Sequence, residues 1–95
     1  MPPFHFHIRT SDALIEDPEG IEFADRGAAI VEAVRGARCL MTGEVRRGTL
    51  CLDQAIEIHD AVGQHVTTVP FAEALTVDYG AAPVPAVAKA ESTQS

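Results

Sequence analysis

The chain has 95 residues, 46 % of them apolar, and carries a formal net charge of −7 from seven basic and fourteen acidic side chains. That length holds one small domain and leaves no room for a second core. The acidic balance argues against general binding of nucleic acid or of an anionic membrane, both of which call for a basic face, and no apolar run approaches the roughly 20 residues that span a bilayer.

The opening Met-Pro-Pro-Phe-His-Phe-His has neither the charged nor the apolar region of a signal peptide, so a cytoplasmic location is expected. Cys39 and Cys51 lie twelve positions apart without a CxxC spacing, which fits free thiols rather than a disulfide or a metal clip. Phe4, Phe6 and Ile8 alternate with His5, His7 and Arg9, and this period of two predicts a half-buried strand. Thr10-Ser11-Asp12 is turn chemistry, so Leu14-Ile15-Glu16 is expected to return as a hairpin partner. Asp17-Pro18-Glu19-Gly20 is a further turn, after which Ile21 and Phe23 extend the strand or pack under a helix.

Asp25 is a suitable helix N-cap, and helical periodicity runs from there to about Arg47, with Gly48 as the stop. Ile30, Val34, Ala37, Met41 and Val45 form one apolar stripe, widened by Ala33 and Leu40. Gly36 and Gly43 weaken the helix by about 1 kcal/mol each, which makes Gly43 the place where a kink or break can fall, a point the sequence leaves open. Residues 49–53 read as a connector. Ala55 to His59 alternates again with Ile56 and Ile58 inward, and Asp60-Ala61-Val62-Gly63 carries a hairpin signal. With Gly63 as the bulge, His65 faces His59, Val66 faces Ile58 and Thr68 faces Ile56. Pro70 ends the return strand or places it at an edge, and Phe71 and Leu75 anchor a last turn. The expected architecture is α+β in ββαββ order, an antiparallel sheet of two hairpins packed on one amphipathic helix. The domain is expected to cover 1–75, with 76–95 as a disordered Ala/Pro-rich tail, since its short side chains would bury too little area to offset their ordering entropy.

Phe4-His5-Phe6-His7-Ile8-Arg9, the Asp17…Glu19-Gly20 turn, the alanine-rich helix, Ile56-Glu57-Ile58…Asp60…Gly63 and Val69-Pro70-Phe71-Ala72…Leu75 together resemble a family of short bacterial proteins. That family is abundant in rhizobia and related alphaproteobacteria and is known only as a domain of unknown function. The resemblance spans residues 3–75 and implies a small cytoplasmic α+β domain, without a catalytic residue to carry over. Gly36 and Gly43 depart from the alanine- and leucine-rich helix of that pattern.

Three constellations could carry function. His5 and His7 share one strand face, and His59 and His65 oppose each other on the second hairpin. If both hairpins join one sheet, all four imidazoles lie on its open face, as ligands for a zinc-like ion or as a pH-sensitive surface; solvated polar positions are the plain alternative. Asp12, Glu16, Asp17, Glu19, Glu22 and Asp25 are six of the fourteen acids, with no base among them. They lack the D-x-D-x-D-G spacing of a calcium loop and read as a solubilising segment. The helix has the opposite sign: five arginines against two glutamates, with Arg35, Arg38 and Arg46 toward its exposed side as a surface for an acidic partner. No nucleophile elbow, P-loop or dinucleotide fingerprint is present. The expected function is therefore a non-enzymatic protein-binding or self-associating module that needs no cofactor, with a metal-binding or pH-responsive histidine face as the alternative.

Overall fold

The computed structural model describes residues 1–81; the part of the expected tail from residue 82 onward lies outside the described residues. Residues 76–81 form neither helix nor strand. The elements in order are β1 (Pro3–Arg9), β2 (Leu14–Ile15), β3 (Ile21–Glu22), α1 (Arg26–Arg46), β4 (Ala55–His59), β5 (His65–Pro70) and a single 3-10 turn at Phe71–Glu73. All strand pairs are antiparallel, in the order β2-β1-β4-β5, with β3 pairing β1 beyond β2.

The α+β class and the two flanking hairpins are as the alternation predicts, with one addition. The chain returning along β1 is broken into β2 and β3. Ile8 pairs Ile15 and Phe4 pairs Ile21, so four steps of β1 face six of the returning chain and two extra residues bulge out at Asp17–Gly20. Gly20 takes the left-handed conformation the bulge requires, at φ 76°.

Helix α1 is continuous through Gly43, so the chain does not break there. It starts where the Asp25 carboxylate accepts from Ala28 N–H at 2.9 Å. It ends in a Schellman motif: Gly48, at φ 88°, donates to Val45 O at 2.9 Å, and Thr49 donates to Glu44 O at 3.0 Å. A single glycine costs less than the capping and packing at both ends supply.

The buried stripe is also turned from the expected one. Ala29, Ala33, Ala37 and Met41 are buried, while Leu40 is 42 % and Val45 58 % exposed. Alanines spaced by four let α1 lie close on the sheet, where it packs chiefly on β4 and β5. Val45, in the last turn, faces the connector after the helix rather than the sheet. Phe4, Ile56, Ile58, Val69, Phe71 and Ala74 complete the core, and Phe23 covers the β1 side by stacking on Phe6 at a 5.7 Å centroid distance.

The second hairpin needs one more correction. His65 does pair His59, but Ile58 pairs Thr67 and Ile56 pairs Val69, because Val66 is bulged out of the ladder between them. Its carbonyl instead accepts from Arg26 Nη2 at 3.1 Å.

Candidate functional site

Two surfaces bring chemistry-bearing side chains together. The first is the open face of the sheet. β1 places His5 and His7 on it, and the β1–β4 register sets His59 opposite His5 and Glu57 opposite His7. The four imidazoles form one row: His5–His7, His7–His59 and His59–His65 centroids are 6.1, 4.6 and 5.6 Å apart. A shallow depression of about 200 Å³ runs beside the row, bordered by His5, His7, His59, Asp17 and the Asp60–Gly63 turn.

The ring nitrogens are largely committed to the protein. His5 Nδ1 donates to Asp17 O at 2.8 Å, and the Asp17 N–H donates to His7 Nδ1 at 2.9 Å. His7 thus accepts at Nδ1, which leaves Nε2 as the ring's donor position. His59 faces two acceptors, Gly63 O at 3.2 Å from Nδ1 and the Glu57 carboxylate at 3.3 Å from Nε2, and only the imidazolium satisfies both. His65 Nε2 lies 2.8 Å from Thr68 Oγ1. Among the described residues no three His, Cys, Asp or Glu side chains converge in an arrangement that could hold a metal ion. The row is a hydrogen-bonded lattice rather than a preformed ligand cage.

Two carboxylates anchor this lattice. Burial pushes the Asp17 carboxyl up, but the N–H groups of Phe6, Gly20 and Glu19 outweigh burial and hold it below its ordinary 3.8. Glu57 accepts from Arg9 Nε at 2.7 Å, and this bond is the main reason its carboxyl lies below the ordinary 4.5, against a smaller opposing effect of burial; the same contact raises the Arg9 guanidinium.

The second surface is a groove of about 410 Å³ at the C-terminal end of α1. Its floor is apolar, from Met41, Val45, Leu50 and Leu75, and Arg38 and Arg46 stand on its rim with Thr42 between them. Outside the lining, the Glu44 carboxylate accepts from Cys51 N–H and from Gln54 Nε2, both at 3.0 Å, and so folds the connector carrying Leu50 back onto the helix end. Arg38 Nε donates to Ala74 O at 2.6 Å, which ties the segment carrying Leu75 to the helix. Of the three arginines singled out in the sequence, Arg38 and Arg46 meet at this groove. Arg35 does not line it and pairs with Glu32 at 3.5 Å. The groove itself was not readable from periodicity, because Val45 counted as core and Leu50 and Leu75 lie in irregular segments. Cys39 and Cys51 are free and exposed.

The family model of a domain of unknown function, DUF6894, matches residues 4–72. No curated protein and no solved structure matches the chain. No helix among the described residues is long and apolar enough to cross a membrane.

Proposed function

The chain belongs to the DUF6894 family, and on that footing we propose that it is a non-enzymatic module that binds protein, whether another chain or a second copy of itself, in the cytoplasm. The observation that carries this reading is the apolar groove with two arginines on its rim. Apolar floor inside a charged margin is the anatomy of a protein-docking surface. The groove lacks a general acid or base, and its hydroxyl group, on Thr42, donates to Arg38 O at 2.9 Å. Two exposed free thiols suit a reducing compartment. A photo-cross-linking side chain at Val45, introduced in the native host, should trap protein. The same group at Val62, which is 80 % exposed but outside the groove, should not. Equal trapping at both positions, or none at Val45, overturns the reading.

The histidine row supports a second role, as a pH-responsive surface. Protonation of His7 at Nδ1 sets an N–H against the Asp17 N–H that it now accepts from. The groups around that ring are His5 on the same strand, His59 and Glu57 on β4, and Asp17 in the bulge. Histidines change charge between about pH 8 and pH 5. Across that range the amide signals of Asp17, Glu19 and Gly20 should move together with the His7 ring signals, and should stay still in His7→Phe. Independent movement sinks this role. Adding zinc to the same sample tests the metal alternative, since site-specific shifts at His5 or His7 are required for it.

A further inference from the structure

We propose that the Arg38/Arg46 groove is held in cis by residues 83–87 of this same chain, with Val84 and Val87 on its floor, so that a docking protein enters by displacing them. The inference rests on the protein-binding reading above and adds a regulating occupant to that site. Leu75 lines the groove, and the described chain ends six residues later at Ala81. The segment that continues from the groove's own lining is the least polar in the sequence: residues 80–88 are glycine, alanine, proline and valine only, the longest run without a polar side chain. Ahead of it the chain turns. Gly80 takes a left-handed φ of 77°, and its N–H donates to Asp78 Oδ1 at 2.8 Å.

Reach and spacing agree. The chain from Leu75 to Val84 spans up to about 30 Å when extended, against roughly 12 Å between Arg38 and Arg46 along the helix axis. The spacer is therefore long enough to double back. Pro83 and Pro85 fix φ and bias their neighbours toward the polyproline II form, which has three residues per turn and a rise of about 3.1 Å. In that form Val84 and Val87 share one face about 9 Å apart, which fits between the rim arginines and over the floor of Met41, Val45 and Leu50.

The chemistry is matched as well. A polyproline II backbone makes no internal hydrogen bonds, so its carbonyls need outside donors, and the guanidinium groups on the rim are donors only. Among the described residues Arg46 has no hydrogen bond or ion pair, and Arg38 uses only its Nε, on Ala74 O. The prolines also lower the ordering entropy that weighs against a segment of short side chains. Tethering holds the segment at an effective concentration of about millimolar, so weak contacts suffice to fill the groove. A protein that docks on the same floor then binds in proportion to the fraction of grooves left open.

Methyl NMR on the full chain tests this. The Val84 or Val87 methyls should show nuclear Overhauser contacts to Val45, Leu50 or Leu75, unchanged on dilution and absent between labelled and unlabelled chains in a mixed sample. Val84→Asp/Val87→Asp, in the full chain, should abolish them and shift the signals of Met41, Leu50 and Leu75 while those of Ile15 and Val62 stay still. With the cross-linking group at Val45, the same double variant should trap at least about twofold more protein in the native host, because an occupant that fills half the grooves halves the apparent affinity of a partner. No contact with the groove, contacts to Ile15 or Ile21 instead, or contacts that form between chains overturns the proposal. Trapping at Val45 that the double variant leaves unchanged overturns it as well, with the protein-docking reading intact. Absence of trapping from both proteins counts against docking alone, since the methyl contacts are read without a partner.

Discussion

The Asp17 carboxylate accepts from the backbone N–H groups of Phe6, Glu19 and Gly20, while its own N–H and C=O engage His7 and His5. One short side chain thus fixes a two-residue bulge and orients half of the histidine row. Its pH signature has a definite sign. The native carboxyl lies below its ordinary 3.8, so in the window between the native and ordinary values the unfolded chain holds more protons. Its stabilisation is complete above the ordinary value and is lost as pH falls through the native one. Glu57, held below 4.5 chiefly by Arg9, acts in the same direction. Asp17→Asn should therefore flatten the fall of stability below about pH 4. Denaturant unfolding across the acid range checks this, and a slope parallel to wild type would contradict it. The acids were visible in the sequence, but their charge suggested only a solvated loop. Hydrogen bonding of Asp17 to Phe6, eleven residues away, depends on the fold and leaves no local pattern.

Helix α1 shows where periodicity succeeds and where it stops. Asp25 and Gly48 mark its ends correctly because capping is local chemistry. Its contact face was misplaced because apolar character alone cannot tell Val45, which is left mostly exposed, from Ala29, which is fully buried. Likewise β1 and β4 follow from alternation and bring the histidines together, whereas the bulge at Val66 carries no glycine to announce it. The helical glycines make a test at this scale. A methyl group at Gly36 would meet Ile56 Cδ1 at 3.8 Å, an ordinary contact, and one at Gly43 would meet only the flexible end of Arg47 at 3.5 Å. Gly36→Ala and Gly43→Ala should each stabilise the fold by up to about 1 kcal/mol. A lower midpoint in chemical denaturation for Gly36→Ala would mean that helix and sheet sit closer than described.

At the scale of the molecule the core is thin. Phe71 and Ile58 are its largest fully buried side chains, and Phe71 also donates its N–H to Gln54 O at 2.9 Å, joining the end of β5 to the connector. Phe71→Ala should cost about 3–5 kcal/mol, comparable with the whole stability expected of so small a domain. Loss of amide dispersion in its NMR spectrum at room temperature is the expected result, and a well-folded variant would place the main anchor elsewhere. The groove belongs to this scale too: its walls come from the helix end, the connector and the segment after β5, which only the finished fold assembles. The alanine stripe of α1 has a thermodynamic counterpart. Ala29, Ala33 and Ala37 bring little hydrocarbon into the interior, and the histidine face of the sheet brings less. Unfolding therefore exposes a small apolar area, so both the denaturant slope and the heat-capacity change should sit at the low end for this chain length. The melting transition will be broad, and the stability curve flat enough that cooling weakens the fold little.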